Sequence, residues 1–267
     1  MIRLFRAWAG APALVFAVLL LSMFGVAMVY SAGVLNVPSP VTENIWQRQL
    51  QFLILALLVY SGMAFIAPRW FEWAALPAYV LGVLLLVATK IFGSGAGTAA
   101  GVESFLTIAG FRFQPAEVAK IATILAMARL LSGRREAFQN LRELLAPVAL
   151  VGLPLGLVIL QPDLGTAMAF IGILFAMLYW GGTPVPLLVL LASPGLGLIL
   201  SYDTIVWSTY IILLTLSLFF FRYRLYLVES VAVVLANLAA GTVAQPLWNS
   251  LADYQKNRLL VFLDENV

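Results

Sequence analysis

Residues 145–181 read LAPVALVGLPLGLVILQPDLGTAMAFIGILFAMLYWG, two apolar runs parted by the polar turn Gln161-Pro162-Asp163, and Asp163 is their only charge. A helix needs about 20 mostly apolar residues to cross a hydrocarbon core of about 30 Å, whereas a membrane barrel strand alternates in period two over about ten. These runs are continuous, so they read as two membrane helices joined by a tight turn. The same pattern extends in both directions. Punctuation by Pro, Gly and charge places spans near 11–31, 51–67, 71–92, 115–132, 145–161, 164–181, 184–201, 204–221 and 225–245. The fold class is therefore all-α, a polytopic integral membrane helical bundle of about nine helices. Composition agrees: the 267 residues are 63% hydrophobic and 10% charged, against about 45–50% and about 25% in soluble domains, leaving too little polar surface to face water.

The whole chain, 1–267, reads as one transmembrane domain with outer-face loops at 93–114 and 246–267 and a basic cytoplasmic loop at 132–144. Positive charge sets that orientation. With the N-terminus inside, the cytoplasmic segments hold Arg3, Arg6, Arg69, Arg129, Arg134, Arg135, Arg142, Arg222 and Arg224, while the outer ones hold Arg48, Lys90, Arg112, Lys256 and Arg258. The first run is longer than a signal-peptide core and no A-x-A-like site follows it. The chain has no Cys and no His. Disulfides, thiolate or imidazole metal sites, and Ser-His or Cys-His dyads are excluded. A net charge of +3, not gathered into a basic arm, gives no footprint for nucleic acid.

Ionisable groups at membrane depth are costly and so mark functional sites or paired helix ends. One cluster is Phe111-Arg112-Phe113-Gln114-Pro115-Ala116-Glu117-Val118-Ala119-Lys120. Pro115 suits the first helical position, Glu117 the positive end of the helix dipole, and Glu117 and Lys120 share a face. The pair is either structural or, with Arg112, part of a vestibule for a phosphate-bearing lipid head group. A second cluster is Gln161-Pro162-Asp163-Leu164-Gly165-Thr166, where Asp163 can cap the helix that follows. Gln-Pro followed by an acid occurs at both helix starts. The third, Tyr254-Gln255-Lys256-Asn257-Arg258 with Val261, Phe262 and Asp264, suits an amphipathic segment in the interface. Arg48, in Trp46-Gln47-Arg48-Gln49, is a weaker site of the same kind.

Together with Val29-Tyr30-Ser31-Ala32, these segments resemble the SEDS family (shape, elongation, division and sporulation), the RodA/FtsW-like proteins and most of all the RodA-like members. The resemblance rests on Arg48-Gln49, Phe-Gln-Pro-x-Glu-x-x-Lys at 113–120, Gln161-Pro162-Asp163-Leu164-Gly165-Thr166-Ala167, and Tyr254-Gln255-x-x-Arg258 leading to Phe262-Leu263-Asp264, spanning residues 29–264. It implies a peptidoglycan glycosyltransferase of the bacterial cytoplasmic membrane that polymerises lipid II, the undecaprenyl-pyrophosphate disaccharide-pentapeptide, on the outer face, for cell-wall elongation and cell shape. It also implies a class B penicillin-binding protein as partner. Three departures stand out. Glu103-Ser104-Phe105 replaces the family's Arg-Trp pair, and three spans occupy a stretch where the family has one. The chain stops at Val267, before the family's Asp-Pro-x-Gly-x-Gly-Tyr stretch with its catalytic aspartate, so it is expected to be inactive alone.

Joining a sugar 4-hydroxyl to an anomeric carbon that carries a lipid pyrophosphate needs a carboxylate base and positive charge at the departing phosphates. On this reading Arg112 and Lys120 clamp phosphate, Glu117 holds Lys120, Gln114, Arg48 and Arg258 line the substrate path, and Asp163 shapes the cavity or helps hold Mg²⁺ or Mn²⁺. Asp264 is the only stand-in base within the chain. Two other functions compete. A lipid II flippase would place its charges near mid-membrane, and a noncatalytic scaffold would tolerate loss of Lys120 and Asp163.

Overall fold

The structure, a computed structural model, describes residues 12–33, 45–63, 65–95, 104–108, 111–134, 136–221, 227–250 and 256. Among them are nine α-helices: α1 (Pro12–Gly33), α2 (Ile45–Met63), α3 (Pro68–Phe92), α4 (Pro115–Ser132), α5 (Leu145–Ile159), α6 (Leu164–Trp180), α7 (Val185–Leu200), α8 (Thr204–Phe221) and α9 (Leu227–Ser250). A single 3₁₀ turn, Leu141–Leu144, runs into α5. The chain divides into two compact units, Met1–Phe71 and Glu72–Val267.

In the first unit α1 buries none of its residues; Leu14, Phe16 and Met23 are exposed. A helix apolar all round, with such side chains outward, is solvated by lipid. Its Tyr30 ring meets Trp46 of α2 edge-on at 5.6 Å.

In the second unit α3 to α7 share a core of Leu86, Ala119, Met127, Val151, Phe170 and Leu187, among others. Gly82 lets α3 approach α4, because a Cβ there would lie 3.2 Å from Ala119 Cα. Interior prolines leave the carbonyl four residues earlier without its helical partner. Two of these are satisfied from side chains, as lipid-embedded backbone requires. The carbonyl of Leu150, freed by Pro154, accepts from the Tyr79 hydroxyl of α3 at 2.6 Å, and that of Leu190, freed by Pro194, accepts from Ser193 Oγ at 2.7 Å.

Helices α7, α8 and α9 form around a buried polar knot. Asn237 Nδ2 donates to Ser193 Oγ (2.8 Å) and to Val233 O (2.9 Å), and the Tyr210 hydroxyl donates toward Ser193 O (2.9 Å) and Asn237 Oδ1 (3.0 Å). Gly197 makes room, since a Cβ would lie 2.8 Å from Asn237 Oδ1.

Several sequence expectations need correction. The stretch 182–245 holds three helices, matching the three spans read there, but α9 continues through Pro246 to Ser250, so the start of the segment read as an outer loop from 246 is helical. Proline inside a membrane helix is tolerated where neighbours re-satisfy the backbone. Helix α2 starts at Ile45, not near 51, because its polar first turn is still helical. The 93–114 loop contains a two-stranded antiparallel hairpin, β1 (Leu106–Ile108) with β2 (Phe111–Phe113), a small addition to an otherwise helical chain. Four described helical stretches are long and apolar enough to cross a membrane: Pro12–Gly33, Pro68–Phe92, Leu141–Ile159 and Leu227–Asn249. Three apolar ones are shorter, Leu164–Trp180, Val185–Leu200 and Thr204–Phe220. At a rise of about 1.5 Å per residue each spans about 24–26 Å, a little short of a hydrocarbon core of about 30 Å.

Candidate functional site

Two helix starts meet at one end of the second unit. The hairpin pairs Leu106 with Phe113 and Thr107 with Arg112, and Phe113 delivers the chain directly to Gln114, the N-cap of α4. The hairpin's root is pinned by Ser94 and Phe105, whose N–H groups donate to each other's carbonyls at 2.8 and 3.3 Å. Pro115 follows Gln114 at the helix start, where its missing N–H costs nothing. The Gln114 side chain makes no cap of its own helix. It reaches across instead, and Nε2 donates to Asp163 Oδ2 at 2.9 Å and toward Thr166 Oγ1 at 3.4 Å.

Asp163 is the N-cap of α6. Its Oδ1 accepts from the Thr166 backbone N–H (3.0 Å) and its Oδ2 from the Thr166 hydroxyl (2.8 Å) as well as from Gln114. Capping of this kind is worth about 1 kcal/mol. With three donors on two oxygens, this carboxylate ties the two starts together.

The turn before Asp163 is stitched to α3. Gln161, only 2% exposed, donates through Nε2 to Leu86 O at 2.9 Å, and Lys90 Nζ donates to Leu160 O at 2.7 Å. A cation against the last carbonyls of α5 is where the helix dipole favours it. On α4, Lys120 Nζ donates to Glu117 Oε1 at 2.8 Å; the Lys120 side chain is 23% exposed and that of Glu117 60%. An ammonium has three donors, so pairing with Glu117 leaves Lys120 able to hold an anion as well.

The structure thus brings Gln114, Glu117, Lys120 and Asp163 to neighbouring helix starts. Arg112 has its backbone in β2, and its side chain lies outside the described residues. Arg258 and Asp264 also lie outside them. Arg48 is exposed on α2 in the first unit. Among the described residues no three Asp or Glu side chains converge, and Asp163 already accepts three hydrogen bonds, so an ion here would need the substrate's own phosphate oxygens as further ligands. Lys90 was not singled out from the sequence as a site residue, and Gln161 and Thr166 stood within the second cluster without a role of their own. Thr166 was signalled by its place three residues after an Asp cap; the Gln161 and Lys90 contacts are long-range and had no local signal.

A family model described as the FtsW, RodA and SpoVE cell cycle proteins matches residues 12–230, from α1 to the first turn of α9. The chain belongs to this family. A relative in Geobacter sp. (strain M18), a probable peptidoglycan glycosyltransferase FtsW, is 31% identical over 186 residues, 66% of this chain and 50% of that protein. The chain therefore spans about half the length of this SEDS relative. The crystal structure of the Thermus thermophilus rod shape determining protein RodA is similar with a TM-score of 0.51 and 26% identity, over 85% of this chain and 82% of that one. A chain of a peptidoglycan synthase complex that coordinates polymerisation and crosslinking matches with a TM-score of 0.51 and 26% identity, over 91% of this chain and 58% of that one. This SEDS chain is a multi-pass membrane protein.

Proposed function

We propose that the chain is part of a membrane-embedded peptidoglycan glycosyltransferase that polymerises lipid II on the outer face of the bacterial cytoplasmic membrane, with its N-terminus in the cytoplasm. The observation that carries this reading is the 2.9 Å bond from Gln114 to Asp163, which joins residues 49 apart in two family motifs, the first of which carries Lys120. The basic residues Arg129, Arg134 and Arg142 lie toward the opposite helix ends, in keeping with an inward-facing positive side.

In the reaction, the acceptor's 4-hydroxyl oxygen forms a bond to the donor's anomeric carbon as the bond from that carbon to the pyrophosphate oxygen breaks. The electron pair leaves with the pyrophosphate, and the hydroxyl proton passes to a carboxylate. Lys120, held by Glu117, and Arg112 stabilise the charge that builds on the departing phosphates. The Gln114–Asp163 bond holds the α4 and α6 starts at fixed spacing. The proton acceptor is a carboxylate other than Asp163; the resemblance points to the aspartate of the Asp-Pro-x-Gly-x-Gly-Tyr stretch, with Asp264 as the stand-in within this chain. A Mg²⁺ or Mn²⁺ ion would arrive with the substrate's own phosphate oxygens and neutralise their charge. A class B penicillin-binding protein is the partner that would crosslink the product, as the likeness to a polymerising and crosslinking complex supports.

The test is polymer formation from fluorescent lipid II, followed on a gel, with the full-length protein and its penicillin-binding partner. Polymer with the wild type and none with Lys120→Ala supports the proposal. Absence of polymer from the wild type, with labelled lipid II crossing vesicle membranes instead, overturns it in favour of a flippase. Lys120 is about 8 Å from the start of α4 by helix rise, nearer an interface than the mid-membrane position a carrier would need.

A further inference from the structure

At the other end of α5 a cavity of about 310 Å³ opens between the 3₁₀ turn and helices α5, α7 and α9. That size is at the lower end of small-molecule sites, about 300–1,000 Å³. Its walls are apolar, among them Val148, Leu191, Pro194, Ala232 and Ala236. Two charged residues also line it. Glu229, 4% exposed in the first turn of α9, accepts from the Arg142 backbone N–H at 3.3 Å and has the Arg142 Nε at 3.8 Å, while the Arg142 side chain is 59% exposed. A buried acid at the start of a membrane helix is costly unless it is paired. Here its partner stands over a cavity.

The depth of the lining names the occupant. On α9 it runs from Val228 to Ala236, and on α7 it ends at Pro194, nine residues from the helix start. By helix rise these are about 12 and 14 Å, close to half of a hydrocarbon core of about 30 Å. On α5 it reaches only Val148, near that helix's first turn. The cavity is therefore polar at the interface and apolar through one leaflet. In the orientation proposed above, that leaflet is the cytoplasmic one.

We propose that this cavity is a binding site for an anionic phospholipid of the inner leaflet, with one acyl chain between α5, α7 and α9 and a head-group phosphate on Arg142. A guanidinium has five N–H donors in a planar fork, enough to engage Glu229 and a phosphate oxygen together. Glu229, buried and bonded to the Arg142 backbone as well, fixes the turn so that the guanidinium stays at the mouth. Arg134 binds Glu143 on the same 3₁₀ segment, and among the described residues Arg142 is the cation that lines the cavity. The site is separate from the Gln114–Asp163 end, and nothing in it depends on the glycosyltransferase activity.

The experiment is native mass spectrometry of the full-length protein released from nanodiscs, titrated with dioleoyl phosphatidylglycerol, with dioleoyl phosphatidylcholine, and with inorganic phosphate. One bound phosphatidylglycerol is expected, held about five-fold more tightly than phosphatidylcholine, as the ~1 kcal/mol contributed by one basic residue near an anionic surface implies. Arg142→Gln should abolish that preference while chain binding persists. Ala232→Phe, which fills the cavity, should remove binding of both lipids, and Ala236→Phe serves as a second filling variant if the first misfolds. Retention of phosphatidylglycerol by both filling variants, an unchanged preference in Arg142→Gln, or equal displacement by inorganic phosphate would overturn the proposal.

Discussion

The two ends of α5 carry polar groups of the same kind arranged to opposite effect. Beyond its Ile159 end, the Asp163 carboxylate is closed in by Gln114 and Thr166 and stitched to α3 through Gln161. Before its Leu145 end, Glu229 holds Arg142 over an open cavity. A carboxylate whose oxygens are filled by the protein positions other groups, whereas one that steadies an exposed cation beside a cavity prepares a binding site. The polar residues of a membrane protein are thus better sorted by what their hydrogen bonds leave available than by their cost of burial.

The largest effect should come from Lys120→Ala, which on the proposed reaction removes a charge that stabilises the leaving group; polymer formation should drop about 10²- to 10³-fold, the usual loss for one preorganised donor. Lys120→Arg should restore part of it. If Lys120→Ala polymerises like the wild type, the α4 start is a structural pair and the contrast between the two ends loses its functional half.

Next, Asp163→Ala removes the α6 cap and strands the donors of Gln114 and Thr166. A loss of about 2–3 kcal/mol is expected, measured by equilibrium unfolding in mixed micelles, with Asp163→Asn recovering much of it because Asn caps as well as Asp. Loss of less than half that amount would mean water already serves these groups. A smaller change is expected at the knot, where Asn237→Leu should cost about 1 kcal/mol, in the range of hydrogen bonds between membrane helices. The smallest belongs to Glu117→Gln. An exposed i,i+3 pair contributes about 0.2–0.5 kcal/mol, so a loss above 1 kcal/mol in the same unfolding assay would show Glu117 doing more than holding Lys120.

Much of this arrangement was legible in the sequence, and the reason is local. Pro115 and Asp163 announce their helices within one turn, so the reading of spans at 115–132 and from 164 agrees with α4 and α6. The nine apolar runs map onto nine described helices for the same reason, since continuous hydrophobicity needs no partner to interpret. What escaped was long-range or marginal. The bond from Gln114 to Asp163 joins residues far apart in the chain, although the repeated Gln-Pro-acid pattern hinted at kinship. The hairpin at 106–113 consists of two three-residue strands, too short for periodicity to register. Glu229 was passed over because an acid at the start of an apolar run looks like an ordinary helix end; only the fold shows it buried against Arg142. Pro246 was read as a stop because proline breaks helices in water, but α9 carries on through it.

The most direct test of the division between the two ends is the affinity of lipid II for the full-length protein in nanodiscs, compared among wild type, Lys120→Ala and Lys120→Arg. Binding weakened at least ten-fold by Lys120→Ala, about the 1.4 kcal/mol expected of a lost charged contact, and largely kept by Lys120→Arg would place the pyrophosphate at the α4 start. Equal affinity in all three would contradict it.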